Sequence, residues 1–310
     1  MDLTILINEN FKSGFVTILG RPNVGKSTLL NKIIGSKIAI MSDKPQTTRN
    51  TILGVYTTNE AQVIFTDTPG IHKPVHALGR LLNEESYNAA RNVDAIFFMV
   101  SAVDKIGKGD LMIMEHLKHY KDPIYLLINK VDLLEDPQKE LPEIIVSYTQ
   151  EMEFEEIYPI SAKDGTNVEK LVEKIIEKLP YGPKYYPEDM ITNHPERFIV
   201  AELIREKAFQ LTNEEVPHSV AVVVDSMKNV EDEEDLVEIY ATIYVERDSQ
   251  KGIILGKNGS LIKQIKQRAK KDIKNLLGSR CELNLWVKVK KDWTERPDSM
   301  KALGYEKDEY

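Results

Sequence analysis

The sequence predicts two domains: an α/β domain with a mostly parallel sheet and helices on both faces, and a smaller α+β domain after it. Short apolar runs recur between residues 15 and 160 with room for a helix between them, and polar motifs follow most of these runs directly. Ligands of open α/β sheets bind at the carboxyl ends of the strands, so these motifs predict a ligand site. A proline-rich break near residue 180 and a lysine-rich block beyond it indicate the second domain.

Composition is that of an ordinary globular protein. A chain of 310 residues is too long for one small core, and 42% of the residues are hydrophobic and 29% charged. No stretch approaches the roughly 20 apolar residues of a membrane span, and residues 1–8 lack the basic region of a secretory signal. The single cysteine, Cys281, can build neither an internal disulfide nor a metal site. We therefore expect a cytoplasmic protein.

Positive charge is concentrated in one block. Residues 251–291 hold twelve Lys and Arg against two acids, a balance of +10 in a chain whose net charge is −8. A basic block on an acidic chain is typical of one domain that binds a polyanion.

A phosphate-binding loop follows the first predicted strand, residues 15–19. The stretch G-R-P-N-V-G-K-S leads from this strand into a helical pattern, and such a loop turns its backbone N–H groups toward a polyphosphate. Lys26 is expected to meet the β- and γ-phosphates, and the Ser27 hydroxyl to bind Mg²⁺. The predicted contacts are Gly20, Arg21, Pro22, Asn23, Val24, Gly25, Lys26 and Ser27.

Two further motifs are placed to sense the third phosphate. The polar stretch 42–50 carries two threonines and is typical of a switch loop. The predicted strand 61–66 leads into D-T-P-G, where Asp67 can hold Mg²⁺ through water and the N–H of Gly70 can reach the γ-phosphate. The predicted contacts are Asp67, Thr68, Pro69, Gly70 and Ile71.

Two motifs predict that the base is guanine. The strand 124–128 ends in N-K-V-D, and the strand 156–160 ends in S-A-K, whose backbone N–H can reach guanine O6. The Asp132 carboxylate can accept two hydrogen bonds from guanine that adenine does not offer, and a site rejects a ligand that leaves such an acceptor unpaired. The predicted contacts are Asn129, Lys130, Val131, Asp132, Ser161, Ala162 and Lys163. These motifs, in this order, resemble the Ras-like P-loop GTPase fold, and we expect GTP and Mg²⁺ as ligands.

The group that activates the attacking water is not evident. A glutamine follows D-x-x-G in the Ras type, whereas Ile71 stands here and cannot hydrogen-bond water. We therefore expect slow hydrolysis of GTP to GDP and phosphate by the protein alone, with stimulation by an RNA partner or K⁺. The resemblance to translation-factor-related GTPases with asparagine at this position implies that Asn23 helps to hold K⁺. The alternative, that Asn23 only stabilises the turn, stays open.

Prolines at 180, 183, 187 and 195 stop regular structure and mark the domain boundary. We expect a nucleotide-binding domain over residues 1–180, a linker over 181–196 and a second domain over 197–310.

The second domain has the element order of a nucleic-acid-binding fold. A helical pattern at 197–209 and two strands at 219–224 and 236–245 precede a G-x-x-G loop between helices and a final strand at 281–290. This order resembles the type II KH fold, which clamps about four single-stranded nucleotides. The lysine stripe of its last helix can also be a solvated face. The predicted RNA contacts are Gly252, Ile253, Gly256, Lys257, Asn258, Gly259, Lys263, Lys266, Lys270 and Lys288.

Over nearly the whole chain the motifs resemble the Era-like family of translation-factor-related GTPases. P-Q-T-T-R at 45–49, the stretch 182–192 and E-V-P-H-S at 215–219 add to the resemblance. It implies an RNA-binding switch that binds the 3′ end of small-subunit ribosomal RNA, acts in 30S ribosomal subunit assembly and maturation, and associates peripherally with the inner face of the cell membrane. It also implies Thr48 as the Mg²⁺-sensing threonine, with Thr47 as the fallback. The predicted metal ligands are Ser27, Thr48 and Asp67, and the predicted catalytic residues are Asn23, Lys26, Thr48, Asp67 and Gly70.

Two other classes of protein remain as alternatives. A GTPase module within an RNA-modifying or membrane-associated regulatory protein would need a second catalytic constellation, and the sequence shows no such motif. A pure binding module with a degenerate nucleotide site is disfavoured by the intact Lys26, Ser27, Asp67 and Asp132. No motif predicts a stable protein partner.

Overall fold

The computed structural model describes residues 10–42, 44, 47–74, 76–213, 216–230, 233 and 235–305. The N-terminal stretch 1–8 and the motif residues Pro45, Gln46 and Glu215 lie outside these. The chain packs as two compact units. The first comprises Met1–Ile38, Asn50–Lys73 and Leu82–Asn193, and the second comprises Ala39–Arg49, Pro74–Leu81 and His194–Tyr310. Nowhere along the described ranges is a helix both long enough and apolar enough to cross a membrane.

The first unit contains a six-stranded sheet. Its strands are β1 Lys12–Leu19, β2 Ile52–Thr57, β3 Ala61–Asp67, β4 Ala95–Ser101, β5 Ile124–Asn129 and β6 Ile157–Pro159. The strand order is β2-β3-β1-β4-β5-β6, and every neighbouring pair is parallel except β2 and β3. Every residue of β4 and β5 is buried, as expected of parallel strands that are covered on both faces. The predicted α/β class is confirmed.

Within the described residues, five helices lie between β1 and the end of the first unit in chain order, of which α2 begins in the second unit and ends in the first. They are α1 Lys26–Ile34, α2 Ala77–Asn88, α3 Lys108–Leu117, α4 Pro137–Thr149 and α5 Val168–Lys178. Alternate residues of β4, from Ile96 to Val100, pack with Ile113 and Leu117 of α3 in a fully buried cluster. The apolar side chains of the sheet and of this helix thus form one core beneath the strand ends.

No sequence pattern predicted β2, the antiparallel edge strand. The strand contains Gly54, a residue that normally weakens a strand. A Cβ atom at this position would lie 2.7 Å from Cδ1 of Leu30 on α1. The absence of a side chain at Gly54 leaves room for the side chains of Leu30 and Ile34 on α1, and this close packing is visible only in the folded chain.

The proline-rich segment 181–193 belongs to the first unit. Gln62 on β3 is fully buried, and its side-chain oxygen accepts the backbone N–H groups of Tyr185 and Tyr186 at 2.8 and 2.9 Å. The ring of Tyr185 packs on Phe15 with the centroids 4.9 Å apart. One buried amide thus supplies hydrogen bonds that a helix or a strand would otherwise provide.

In its described residues, the second unit contains a three-stranded sheet and, besides the start of α2, four helices. The helices are α6 Glu196–Leu211, α7 Asp248–Leu255, α8 Ser260–Leu277 and α9 Pro297–Ala302, and the strands are β7 Ala221–Asn229, β8 Leu236–Val245 and β9 Arg280–Val289. The strand order is β7-β8-β9, antiparallel and then parallel. Helices α6 and α8 pack on each other, and α8 packs on β9. The order α6-β7-β8-α7-α8-β9 confirms the predicted KH fold.

The guanidinium of Arg49 is enclosed within the second unit. The residue is fully buried, and burial lowers its pKa. It donates to the carbonyl oxygens of Pro217, His218 and Val220 at 2.7 to 3.0 Å. It also lies 5.4 to 5.9 Å from the ring centroids of Phe209, Trp293 and Tyr305. These contacts tie segment 39–49 to the KH fold.

We expect Arg49→Leu to destabilise the second unit, because three buried carbonyl groups lose their donor. An unpaired buried polar group costs about 1–3 kcal/mol, so the total is expected to reach several kcal/mol. Amide hydrogen exchange should show lost protection in α6 and β7 and unchanged protection in β1 and β4. Arg197→Leu, which removes an exposed arginine from α6, is the matched control. Unchanged protection in Arg49→Leu would contradict this role.

Candidate nucleotide and RNA sites

The four nucleotide motifs lie at the carboxyl ends of β1, β3, β5 and β6. The strands β3, β1, β4, β5 and β6 are successive parallel neighbours, so the loops that follow them emerge at one edge of the sheet. The structure therefore brings the predicted phosphate and guanine motifs together at this edge.

The loop between β1 and α1 is shaped for phosphate. A Cβ atom on Gly20 would lie 2.3 Å from the carbonyl oxygen of Met99, and one on Gly25 would lie 2.2 Å from Nδ2 of Asn129. Gly25 has a φ of 107°, and no side chain caps the N-terminus of α1. The helix therefore presents its first N–H groups and the positive end of its dipole to an anion.

Lys26 is held inside this loop. Its ammonium group donates to the carbonyl oxygens of Gly20 and Arg21, both at 3.0 Å, and the residue is buried. Burial lowers the pKa of Lys26 to about 8, and the nearby charge of Asp67 partly opposes this shift. A polyphosphate would provide the negative charge that this ammonium group lacks.

Asp67 and Ser27 form the other half of the cradle. The Ser27 hydroxyl donates to Oδ2 of Asp67 at 2.6 Å, whereas Oδ1 of Asp67 is buried and accepts no hydrogen bond within the described part of the chain. Burial raises the pKa of Asp67 to about 6, against the opposing effects of Lys26 and Ser27. A carboxylate oxygen and a hydroxyl are the hard donors that Mg²⁺ prefers. These two residues therefore fit Mg²⁺, which would neutralise phosphate charge in this site.

The D-T-P-G loop packs directly on the phosphate loop. A Cβ atom on Gly70 would lie 2.6 Å from Cα of Pro22, and the N–H of Ile71 donates to the carbonyl oxygen of Gly20 at 3.1 Å. The side chain of Ile71 is fully buried in the core, and Thr68 donates to the carbonyl oxygen of Ile18 at 2.8 Å. Ile71 therefore acts here through its backbone, and its side chain cannot orient a water molecule.

Asn129 connects the phosphate loop to the guanine loops. Its Nδ2 donates to the carbonyl oxygen of Val24 at 2.7 Å, and its Oδ1 accepts the N–H of Ala162 at 2.8 Å. Lys130 has a φ of 68°, which turns the chain so that the carboxylate of Asp132 is exposed. The spacing of N-K-V-D predicted a guanine site, but this cross-link between loops has no signal in the sequence.

Arg21 faces away from the cradle. Its Nε donates to Oδ1 of Asp110 on α3 at 2.8 Å, and its guanidinium lies 3.8 Å from Asp104. Asp110 is fully buried and also accepts the N–H of Gly107. The side chain of Arg21 anchors the loop to α3, so the predicted contact of Arg21 with the nucleotide would be made by its backbone.

The roles of Asn23, Thr47 and Thr48, like those of the other predicted site residues, stay predictions. Asn23 is exposed with a φ of 65°, a geometry that suits a turn and leaves its side chain accessible. Thr47 and Thr48 belong to segment 39–49 of the second unit. The Thr47 hydroxyl donates to the carbonyl oxygen of Lys44 at 2.6 Å, and its own carbonyl accepts Arg205.

The G-x-x-G loop between α7 and α8 has an open backbone. Gly256, Asn258 and Gly259 have φ values of 71°, 53° and 74°. A Cβ atom on Gly256 would lie 2.8 Å from Leu261, whereas one on Gly259 would meet nothing within 4 Å. Gly259 precedes α8, whose N-terminus has no side-chain cap. This is a surface that a phosphate group can approach closely.

The predicted lysine stripe is divided into two sets. Lys266 and Lys270 bind Glu282 of β9 at 3.2 and 3.1 Å, and hydrogen bonds from both lysines lower the pKa of Glu282. The other predicted RNA-contact side chains are exposed: Ile253, Lys257, Asn258, Lys263 and Lys288. Among the predicted RNA contacts, the exposed lysines are therefore those of the G-x-x-G loop, the first turn of α8 and the end of β9.

Comparison with known proteins finds a GTPase region and a KH region in this chain. The family model described as a 50S ribosome-binding GTPase matches residues 15–130, and the KH domain model matches residues 215–294. A crystal structure of a variant of Aquifex aeolicus Era bound to GDP·AlF4⁻ is 41% identical, covers 95% of this chain and 99% of its own, and has a TM-score of 0.91. A structure of Era with MgGDPNP and nucleotides 1506–1542 of 16S ribosomal RNA gives the same four values.

The fold and the site define a P-loop GTPase with a C-terminal KH domain, which binds GTP with Mg²⁺ and hydrolyses it. The likeness extends over almost the whole length of both chains. The chain belongs to the Era family.

We expect Lys26→Met to lower GTP affinity by roughly 100-fold or more, since a buried charge partner of the phosphates is lost. In the nucleotide-free wild type, the free energy of unfolding should rise between about pH 8 and pH 10.5, because the unfolded chain still binds the Lys26 proton there and the folded chain does not. Lys26→Met should lack this rise. Calorimetry across this pH range and GTP titration measure both effects. Lys139→Met, at an exposed position, should match the wild type, and a persistent rise in Lys26→Met would refute the assignment.

Proposed function

We propose that this chain is a GTP-controlled switch that binds the 3′ end of small-subunit ribosomal RNA and acts in the assembly and maturation of the 30S subunit. The observation that carries the proposal is the open G-x-x-G loop, with a positive φ at three of its four residues and exposed lysines beside it. Era bound to nucleotides 1506–1542 of 16S ribosomal RNA supports the choice of RNA, since that protein is 41% identical to this chain.

In this proposal the two domains have separate ligands. Residues 1–180 bind GTP through the loops at the carboxyl edge of the six-stranded sheet, with Ser27, Thr48 and Asp67 as metal ligands. Residues 197–310 bind single-stranded RNA at Gly256–Gly259. The accessible carboxylate of Asp132 supports guanine as the base, because it can accept two hydrogen bonds from that base alone.

Segment 39–49 supplies the coupling that we propose. It contains the switch threonines and packs inside the second unit, where Arg49 and Met41 are bound by that unit's own groups. When Thr48 engages GTP and Mg²⁺, this segment changes its contacts, and the KH fold to which Arg49 is tied responds. GTP and RNA then influence each other's affinity, as linkage between two sites requires.

Hydrolysis in this proposal does not use a side chain at position 71, because Ile71 is buried in the core. The exposed amide of Asn23 helps to hold K⁺, which stabilises the charge that develops between the phosphates. Turnover is then slow in the absence of K⁺ or of RNA.

We expect turnover in K⁺ to exceed turnover in Na⁺ at equal ionic strength by about 10-fold or more, an effect within the range of such charge stabilisation. Asn23→Gly is the informative variant, because glycine keeps the φ of 65° and removes only the amide. It should lower turnover in K⁺ to the Na⁺ level while GTP affinity is unchanged. Equal turnover of wild type and Asn23→Gly in K⁺ would limit Asn23 to the turn. Fast turnover without RNA or K⁺ would refute slow intrinsic hydrolysis.

We expect the full chain to bind single-stranded RNA from the 3′ end of small-subunit ribosomal RNA more tightly with a GTP analogue than with GDP or no nucleotide. Fluorescence anisotropy measures the three affinities. Gly259→Asp should weaken binding by at least about 10-fold, because its charge repels phosphate. Gly259→Asn, which adopts the same backbone conformation without the charge, is the matched control. Equal affinity in all three nucleotide states would refute the coupling, and no RNA binding in any state would refute the RNA partner.

We place this activity in the cytoplasm, a location that the family resemblance supports. Peripheral contact with the inner face of the membrane stays a prediction of the resemblance. Fractionation of cells that contain the tagged chain tests both, since a peripheral fraction should be released by salt and a cytoplasmic fraction should remain in the supernatant.

A further inference from the structure

A tryptophan and a tyrosine lie stacked on the surface of the three-stranded sheet in the second unit. The rings of Tyr240 and Trp286 are 5.7 Å apart and 16° from parallel, and 48% of Trp286 is exposed. Exposure of so large an apolar ring is unfavourable unless a partner covers it. We call these two rings the aromatic platform.

The aromatic platform lies on the face of the sheet opposite the alternating buried residues of β8 and β9. Along β9, Cys281, Leu283 and Val287 are buried, so the residues between them point to the opposite side. Along β8, Ile239 and Ala241 are likewise buried, and Tyr240 between them points outward. The platform is therefore separate from the G-x-x-G loop and from the apolar core.

The polar groups around the aromatic platform leave one lysine exposed beside the rings. Each of three neighbouring carboxylates is already engaged: Glu238 by the hydroxyl of Tyr240, Asp225 by that of Thr242, and Glu282 by Lys266 and Lys270. Lys288 is exposed on the same face, two residues beyond Trp286. An aromatic surface with a cation beside it is a combination that binds single-stranded nucleic acid.

Helix and strand lengths place the aromatic platform near the G-x-x-G loop. Helix α8 begins at this loop and packs on β9. Its 18 residues extend about 27 Å away from the loop. A short turn then leads into β9 at Arg280, and Lys290 at the far end pairs with Val245 of β8. Trp286 lies about 20 Å along β9 from Arg280, which brings it back toward the loop end of α8.

We propose that the aromatic platform stacks an unpaired base of the RNA strand that is held at the G-x-x-G loop, with Lys288 on the adjoining phosphate. In this proposal the RNA leaves the G-x-x-G loop, passes along the edge of the sheet at β9 and reaches Trp286 on the sheet face opposite the buried core. This inference rests on the proposed RNA-binding function and extends it, because it adds a second contact and requires an RNA longer than the loop alone can hold.

The first test compares two lengths of single-stranded RNA on the full chain by anisotropy. An oligonucleotide of about four residues fills only the loop, whereas one of about twelve can also reach the platform. Trp286→Ala should weaken binding of the longer RNA about 10-fold, a usual effect of losing one stacked base, and leave the shorter RNA unchanged. Trp286→Phe should restore most of the affinity. Tyr181→Ala, which removes an aromatic residue with 68% exposure from the first unit, is the control without effect.

The second test uses tryptophan fluorescence. The chain has two tryptophans, and the other, Trp293, is fully buried. A base stacked on Trp286 should quench the emission when the longer RNA binds and not when the shorter one does. Trp286→Phe, which leaves only Trp293, should show no quenching with either RNA.

The outcomes separate this inference from the proposed function. If the wild type binds neither RNA, the RNA-binding function itself fails. If it binds both, and Trp286→Ala binds both equally well without a change in quenching, only the platform is refuted. A loss for both lengths together with a lower melting temperature would assign Trp286 to the fold, which also refutes it. If Trp286→Ala binds both RNAs as the wild type does but no longer associates with 30S subunits, the partner of the platform is a protein. That outcome would refute the proposed RNA contact.

Discussion

Two opposite charges buried at the carboxyl edge of one sheet determine the character of the nucleotide site. Lys26 and Asp67 are each removed from water. Burial lowers the pKa of Lys26 and raises the pKa of Asp67, which favours the neutral form of each side chain. Their mutual attraction only partly offsets this desolvation. A nucleotide polyphosphate would place negative charge beside Lys26, and Mg²⁺ would place positive charge beside Asp67. The ligand would therefore stabilise the charged form of both side chains, which the protein alone does not. The geometry around the two residues serves to hold them in this arrangement.

The positions of Lys26 and Asp67 depend on close contacts between the loops, made by backbone groups and by the side chain of Asn129, and not on side chains packed around a ligand. Gly25 and Gly70 lie so close to neighbouring loops that neither tolerates a Cβ atom, and Asn129 bonds the phosphate loop to the guanine loop. A displacement of one loop is therefore transmitted to the others. Arg49 has the corresponding role in the second unit, where it binds segment 39–49 to three carbonyl groups at the start of β7.

The local sequence determined the fold class, the nucleotide and most of the element order. Strands with apolar runs, glycine-rich loops and the helix with lysines all follow from short-range chemistry, since hydrophobic period and phosphate motifs are properties of contiguous residues. Along β9, Cys281, Leu283 and Val287 are buried in the alternation that a strand produces, whereas Leu285 and Val289 are only partly buried. No pattern in the sequence predicted β2, because the strand contains Gly54, and the side chains that pack against this glycine belong to a helix distant in sequence.

Only the tertiary structure decided which polar groups meet. Nothing near Arg21 in the chain shows that its side chain binds Asp110 on α3, and nothing near Lys266 shows that Glu282 neutralises it. The stacking of Tyr240 on Trp286 likewise joins residues of two strands separated by two helices. The sequence by itself determined which chemical groups are present and on which element each stands. Their partners depend on contacts between distant segments, because charge and hydrogen-bond pairing act over a few ångströms in space, whatever the separation along the chain.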